Sequence, residues 1–208
     1  MKLLKNVTLI AYDNTSKPEK TMKALQHCAS LIEFGCVVMV CRLSPMNRNG
    51  EQIQIVKDQG YAAAMDFEVN HMKKFVHTDF ALFISHDGYI VNPDKWQDRW
   101  FDFDFIGSPW PVEICADHPN RRVGNTGFCL KSQKFMHYTA ELGHRFDPQT
   151  PGDVFCCRTI GDELEALGIK FAPLKEAVQF GFESHIDEFQ CGDPFGFHGS
   201  YNERFHSL

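Results

Sequence analysis

Apolar and polar positions along the chain alternate between strand-like and helix-like stretches. Residues 7–12 are apolar except for Thr8 and residues 36–41 form a continuous apolar run, as expected for buried strands of a parallel sheet. Between them the pattern predicts a polar turn at 13–15 and a helix over 16–34 that stops before Gly35. A strand, a helix and a strand in this order predict the start of a Rossmann-like parallel sheet.

The remainder of the chain continues the alternation. The predicted strands are 52–56, 81–85, 103–106, 127–131 and 169–172. The predicted helices are 61–76, 93–100, 132–142 and 153–167. The predicted loops are 109–122, which is rich in proline and charge, and 191–198, which is rich in glycine and phenylalanine. Together these elements predict one α/β domain over residues 1–208, with a mostly parallel central sheet flanked by helices.

Composition narrows the class of protein. The formal net charge of −6 leaves no basic stripe for nucleic acid, so no nucleic-acid partner is expected. The longest apolar runs, such as 37–40, are too short to span a membrane, and the N-terminus lacks the features of a signal peptide. The eight cysteines are irregularly spaced and read as reduced core residues. We therefore expect a cytoplasmic protein, in the host cytoplasm if the protein is viral.

Polar side chains follow three predicted strands at the edge where ligands bind in open α/β sheets. They are Asp13-Asn14-Thr15, Arg42 and His86-Asp87. The glycine-rich loops of dinucleotide-binding proteins and of P-loop enzymes are both absent from the sequence. The charge of a bound diphosphate would therefore have to be met by side chains or by a cation.

Single residues at these positions leave two interpretations open. Asp87 suits a metal ligand, but on the local sequence alone an Asp-Gly turn that only ends a strand is the more ordinary interpretation. His198 lies between glycines that allow close approach to a ligand, or it is a surface histidine. Asp153 begins a predicted helix and is either an N-cap or a catalytic carboxylate. Trp110 is a platform for sugar stacking or a core aromatic.

Taken in order, five motifs resemble a glycosyltransferase-like family of the GT-A fold that occurs in viruses, bacteria and eukaryotes. The motifs are Ile84-Ser85-His86-Asp87-Gly88, Phe103-Asp104-Phe105-Ile106-Gly107-Ser108-Pro109-Trp110, Val123-Gly124-Asn125-Thr126-Gly127-Phe128-Cys129-Leu130-Lys131-Ser132, Gly152-Asp153-Val154-Phe155 and Phe195-Gly196-Phe197-His198-Gly199. The resemblance implies a GT-A fold over nearly the whole chain. It also implies transfer of a hexosyl or deoxyhexosyl group from a nucleotide-sugar, with a UDP-sugar favoured, to a glycan or glycoprotein acceptor.

The resemblance further implies a divalent metal, bound through an Asp-x-Asp motif. In this chain the motif falls on Ser85-His86-Asp87, so Ser85 replaces the first carboxylate and Asp87 is the remaining ligand. His198 matches the late histidine ligand of many members of the fold. A set that mixes carboxylate with imidazole favours Mn²⁺ over Mg²⁺.

The remaining roles follow from the same resemblance. The expected nucleotide-sugar-binding residues are Ala11, Asp13, Asn14, Thr15, Arg42, His86, Trp110, Asn125, Thr126 and Gly127. Arg42 or Lys17 would help to stabilise the leaving diphosphate. Asp153 would act as a general base in an inverting enzyme or orient the sugar in a retaining one, and the motifs lean to retention. A binding module of the same fold without turnover and a nucleotidyltransferase remain as alternatives.

Overall fold

The computed structural model describes residues 1–46, 49–57, 60–115, 121–189, 192–200, 202 and 205. Its strands are β1 (Lys2–Asp13), β2 (Ile32–Cys41), β3 (Gln52–Ile55), β4 (Phe80–Ile84), β5 (Phe105–Gly107), β6 (Cys129–Ser132), β7 (Gly181–Phe182) and β8 (Gly196–Phe197). Its α-helices are α1 (Glu19–Leu31), α2 (Tyr61–His71), α3 (Gln133–Leu142), α4 (Gly152–Val154), α5 (Gly161–Ala166) and α6 (Leu174–Phe180). Short 3₁₀ turns and one π-helical turn, Phe155–Thr159, connect these elements.

The centre of the fold is a six-stranded sheet in the order β3-β2-β1-β4-β6-β5. β1 pairs in parallel with β2 and β4, and β2 pairs in parallel with β3. β6 is antiparallel to both of its neighbours, β4 and β5. The expected α/β fold with a mostly parallel central sheet is therefore confirmed.

Alternating side chains of β1 place one half of the core on each face of the sheet. Leu9 and Ala11 face a cluster that contains α1, whereas Ile10 faces a cluster built on α3 and the π-helical turn. All three side chains are fully buried, because a central parallel strand is covered by helices on both faces. This explains why the buried part of the strand is almost entirely apolar in the sequence. Within the described part of the chain, no helix is both long enough and apolar enough to cross a membrane.

The first helix is shorter than predicted. α1 ends at Leu31, and residues 32–34 instead pair with Lys2–Leu4 at the start of β1. Gly35 therefore lies inside β2 and does not stop the helix. A β-carbon at this position would lie 2.1 Å from the Lys5 carbonyl oxygen, so glycine allows the two strands to approach closely where their register shifts.

The C-terminal half also departs from the predicted pattern. The predicted helix over 153–167 is divided into α4, the π-helical turn and α5. The predicted strand over 169–172 forms one bridge, between Phe105 and Phe171, because it is bounded by a positive-φ Gly168 and by Pro173, which lacks an N–H. Helix α6 was not predicted. In the predicted loops 109–122 and 191–198, residues 116–120 and Cys191 lie outside the described residues.

Candidate functional site

The candidate site lies at the carboxyl edge of the parallel strands. β4 ends at Ile84 and leads into Ser85-His86-Asp87, where Ser85 N–H donates to the Gly88 carbonyl at 2.9 Å and closes a tight turn. Because β6 is antiparallel to β4, the segment that enters β6 lies at the same edge. Asn125-Thr126-Gly127 precedes β6, so the sheet topology brings two sequence-predicted motifs together.

The segment that contains His198 closes over this edge. Its backbone is fixed on both sides, because His198 N–H donates to the Phe182 carbonyl at 2.8 Å and Gly199 N–H donates to the Asp87 carbonyl at 2.9 Å. As a result, His198 Nε2 lies 3.8 Å from Asp87 Oδ1. The structure therefore brings together the two expected metal ligands, which are 111 positions apart in the sequence (198 minus 87).

Gly127 provides the space for the His198 ring. A β-carbon on Gly127 would lie 2.1 Å from His198 Nε2, which is far inside van der Waals contact. Gly88 is also close, since its β-carbon would lie 3.0 Å from His198 Cδ2. The expected role of Gly127 in binding a nucleotide-sugar is thus accompanied by a steric role that the sequence did not reveal.

Glu183 is a site residue that the sequence analysis missed. Its Oε1 lies 3.1 Å from His198 Nδ1 and accepts a hydrogen bond of 2.8 Å from Asn125 Nδ2. The residue directly follows β7, whose pairing with β8 places Glu183 beside the His198 segment. No motif or strand-end signal in the sequence indicated this contact, which depends on the pairing of two strands of two residues each.

The local charges favour a cationic histidine when no metal is bound. Burial lowers the pKa of His198, but the hydrogen bond to Glu183 and the negative charges of Glu183, Asp87 and Asp153 outweigh it, so the pKa is raised overall. His86 lies on the other side of Asp87, with its Nδ1 3.6 Å from Asp87 Oδ1, and half of its side chain is exposed.

The two groups at this edge that the sequence predicts as metal ligands are one carboxylate, Asp87, and one imidazole, His198. His198 Nδ1 lies 3.1 Å from Glu183 Oε1 and 3.0 Å from Asn125 Nδ2, and of these two groups the carboxylate is the one that accepts a hydrogen bond. In the neutral tautomer that donates from Nδ1 to Glu183, the Nε2 lone pair faces Asp87. Ser85 Oγ donates to Asp87 Oδ1 at 3.0 Å and occupies the position of the missing carboxylate. Among the described residues, no group of three or more His, Cys, Asp or Glu side chains forms a larger ligand set.

A cleft of about 240 Å³ opens beside this pair of residues. Its wall includes His198 and the predicted residues Asn125, Thr126, Gly127 and Asp153. The other polar members of the wall are Tyr12, Ser85 and Glu68. Ser85 belongs to the predicted metal-binding motif, whereas Tyr12 and Glu68 are not predicted from the sequence.

Asp153 lies in α4 on the wall of the cleft. Burial raises the pKa of its carboxyl group, and the negative charge of Glu183 acts in the same direction. Asp153 Oδ1 accepts a hydrogen bond of 2.8 Å from Val154 N–H. A partly buried carboxylate with a raised pKa on the wall of a cleft is a candidate for a catalytic acid or base.

The turn after β1 has a structural function in this fold. The Asp13 carboxylate accepts a hydrogen bond from Thr15 N–H at 2.7 Å and another from the Thr21 hydroxyl, which fixes the turn to α1. Arg42 N–H donates to the Asp13 carbonyl at 3.2 Å, so the turns after β1 and β2 lie side by side, as predicted. Asn14 is partly buried between them.

Four further predicted residues lie away from the cleft wall. Ala11 is fully buried within β1, and the side chains of Thr15 and Lys17 are exposed. Trp110 is 8% exposed and packs in the core, where its ring fills the space beside Gly124. Of the two interpretations of Trp110, the structure supports the core aromatic.

Comparison with solved structures identifies proteins of the same fold. A glycosyltransferase involved in glycosylation of the major capsid protein of the virus PBCV-1 superposes with a TM-score of 0.55 and 12% identity, over 95% of this chain and 96% of that chain. Residues 1–349 of TarS from S. aureus superpose with a TM-score of 0.52 and 13% identity, over 96% of this chain and 61% of that chain. At these identities the likeness shows a shared fold, which is the fold of glycosyltransferases.

Comparison of sequences gives the family. No curated protein sequence matches the chain. A family model described as "Protein of unknown function (DUF5672)" matches residues 53–198. This range includes β4, β6, β8 and the residues Asp87, Asn125, Asp153 and His198 of the candidate site. The match covers more than half of this chain, so the chain belongs to the family DUF5672.

Proposed function

We propose that this chain is a metal-dependent glycosyltransferase that transfers a hexosyl or deoxyhexosyl group from a UDP-sugar to a glycan or glycoprotein acceptor. The observation that carries the proposal is that His198, 3.8 Å from Asp87, lines a cleft whose wall also holds Asp153. We also propose that the chain is similar to the N-terminal glycosyltransferase domain of a larger chlorella-virus protein, which its motifs resemble.

Asp87 and His198 are the proposed ligands of the metal. Mn²⁺ suits this mixed set of carboxylate and imidazole better than Mg²⁺, and when bound it supplies positive charge that stabilises the departing diphosphate. Glu183 holds the proton of His198 Nδ1 and so keeps Nε2 available as a ligand. Ser85 orients Asp87 through the 3.0 Å hydrogen bond to Oδ1.

Asp153 is the proposed catalytic carboxylate. Its Oδ1 is engaged by Val154 N–H, so Oδ2 is the oxygen that would receive a proton from an acceptor hydroxyl or lie against the sugar. The first role gives inversion at the anomeric carbon and the second gives retention, which the resemblance to retaining GT-A enzymes favours. The Asn125 amide is held by Glu183 and by Gly127 N–H, so it is preorganised beside the cleft.

Release of UDP from UDP-sugars tests the proposal. We expect the chain to release UDP from at least one of UDP-glucose, UDP-galactose and UDP-N-acetylglucosamine in the presence of Mn²⁺, and EDTA to abolish the release. Asp87→Ala should abolish it as well, whereas Asp187→Ala, at an exposed position, should have no effect. Thermal unfolding with each donor checks binding independently, because a ligand of the native state raises the melting temperature.

A second candidate function is a nucleotide-sugar-binding module without turnover. The observation in its favour is that Ser85 replaces a carboxylate, so the described residues supply two ligands to the metal rather than three. Donor binding without release of UDP at any Mn²⁺ concentration would favour this module. If none of the three donors bound, both candidate functions would be wrong.

A further inference from the structure

A small cavity adjoins the cleft behind Thr126. It has a volume of about 20 Å³, close to the space that one water molecule needs. Glu68, Phe83, Thr126 and Gly152 line both the cavity and the cleft, so the two spaces share a wall. A ligand in the cleft can therefore extend a terminal group into this cavity.

Lys131 is the most deeply buried charged group of the cavity wall. The residue is 6% exposed, and its ammonium nitrogen lies 4.2 Å from the centre of the Phe83 ring. In the described part of the chain it makes no hydrogen bond or ion pair, although an ammonium group has three N–H donors. The nitrogen is not one of the fully buried polar atoms without a partner, and Lys131 lines the cavity, so a ligand that enters this space would meet it with an acceptor.

Glu68, on helix α2, places a carboxyl group in the wall of the same cavity. Its carboxylate also makes no hydrogen bond or ion pair with any residue that the structure describes. The pKa of its carboxyl group is raised, because burial outweighs the opposing charge of Lys131. The carboxyl oxygens accept hydrogen bonds, so Glu68 suits a donor from a ligand.

One small group satisfies both residues together. A hydroxyl accepts a hydrogen bond from Lys131 and donates one to Glu68, and it fits a space of this size. A carboxylate or phosphate ligand would bring further acceptors but no proton for Glu68. We propose that Glu68 and Lys131 bind one hydroxyl of the transferred sugar, so that the donor is a hexose that retains this hydroxyl and the corresponding deoxyhexose is rejected.

This inference rests on the proposed function and specifies the class of its donor. A site built to hydrogen-bond a hydroxyl discriminates strongly against an analogue that lacks it, because buried polar groups are then left without partners. Lys131 is charged, so the loss of the hydroxyl should weaken binding by roughly 10- to 100-fold.

Calorimetric titration of the full chain with Mn²⁺ tests the inference without requiring turnover. The probes are whichever of UDP-glucose, UDP-galactose and UDP-N-acetylglucosamine binds most tightly, and its monodeoxy analogues at each free hydroxyl. We expect one analogue to bind roughly 10- to 100-fold more weakly than its parent. Lys131→Met should weaken the parent by a similar factor and leave that analogue almost unchanged, because both changes remove the same contact.

Two variants complete the design. Glu68→Gln keeps the shape of the side chain and should reduce the same discrimination in part, which covers the case in which Lys131→Met fails to fold. Lys74→Met makes the matched substitution at an exposed lysine and should bind every probe as the unsubstituted chain does.

The outcomes separate this inference from the proposed function. Equal affinity for the parent and all its deoxy analogues would show that the cavity holds only water, as would undiminished discrimination in folded Lys131→Met and Glu68→Gln. Either result would overturn the inference while leaving the transferase intact. Selective binding without release of UDP would support the inference and overturn turnover, and no binding of any donor would overturn both.

Discussion

His198 Nδ1 lies 3.1 Å from Glu183 Oε1, and this contact determines which ring nitrogen is available to a ligand. With Nδ1 held by Glu183, the ring directs Nε2 toward Asp87 at 3.8 Å. Metal-binding histidines commonly donate their second N–H to a carboxylate in this way, which fixes the tautomer and raises the basicity of the ligand. Glu183 therefore acts on the proposed metal through His198, as a positioning residue.

Glu183→Gln tests this relationship. The amide keeps an oxygen near His198 Nδ1 but loses the negative charge, so Nε2 becomes a weaker ligand. We expect the Mn²⁺ concentration that gives half-maximal release of UDP to rise by roughly 10- to 100-fold, with a smaller effect at saturating Mn²⁺. Titration of activity with Mn²⁺ measures both quantities.

Glu113→Gln is the matched control, since Glu113 is exposed in a 3₁₀ turn. It should leave the Mn²⁺ titration unchanged. If Glu183→Gln also left the titration unchanged, Glu183 would have no part in orienting the ligand.

Gly127→Ala tests the steric relationship between Gly127 and His198. The added β-carbon would lie 2.1 Å from His198 Nε2, so the ring must move away from Asp87. We expect loss of Mn²⁺-dependent release of UDP by at least about 100-fold, because a displacement of about 1 Å at a catalytic group costs this much. Circular dichroism should show that the fold is retained.

Gly60→Ala is the control for the added methyl group, because a β-carbon at Gly60 meets no atom within 4 Å. Its activity should equal that of the unsubstituted chain. Full activity in Gly127→Ala would mean that the His198 ring is not needed where the structure places it.

The features of the fold that a sequence pattern predicts are those with strong local signals. The buried run of β1 and the strand that ends before Asp87 are read directly from consecutive apolar residues. The early end of α1 is different, because residues 32–34 pair with Lys2–Leu4 and this pairing is a tertiary contact. Gly35 therefore looks like a helix stop in the sequence. In the structure glycine is required there because a β-carbon would lie 2.1 Å from the Lys5 carbonyl oxygen.

The same distinction applies to the candidate site. Asp87, Asn125 and His198 could be predicted because they follow strands or lie in recognisable motifs. Glu183 and Lys131 could not, since each acquires its surroundings only when distant segments meet. Trp110 is a residue that the sequence offered for sugar binding but that packs in the core. An aromatic residue after a proline gives no sign of which side of the fold it will face.

Asp153→Asn should stabilise the protein at neutral pH while it abolishes turnover. Burial raises the pKa of Asp153 above its ordinary value of 3.8, so the ionised form is less favourable in the folded chain than in the unfolded one. For an acid with a raised folded pKa, this penalty is absent below the unfolded pKa and grows as the pH rises through the folded pKa. At pH 7 the asparagine variant should gain on the order of 1 kcal/mol, or about 2–4 °C in melting temperature.

Melting curves between pH 4.5 and pH 7.5 measure this gain. The advantage of Asp153→Asn should shrink as the pH falls, whereas Asp94→Asn, at an exposed position, should show no such trend. A pH-independent difference in melting temperature would mean that ionisation of Asp153 carries no penalty in the fold.

Trp110→Ala distinguishes a core role from a role in sugar binding. The ring is 8% exposed and fills the space beside Gly124, and the Trp110 backbone is paired with Arg122 through an N–H···O contact of 2.7 Å. Removal of such a ring leaves a cavity, so we expect the free energy of unfolding to fall by about 3–5 kcal/mol in urea denaturation. Donor affinity, measured by calorimetry at a temperature where the variant remains folded, should stay within about twofold, since Trp110 does not line the cleft.

Tyr61→Ala is the control, because Tyr61 is an exposed aromatic residue and its loss should change stability by less than about 0.5 kcal/mol. Unchanged stability together with a large loss of donor affinity would instead make Trp110 part of the sugar-binding surface.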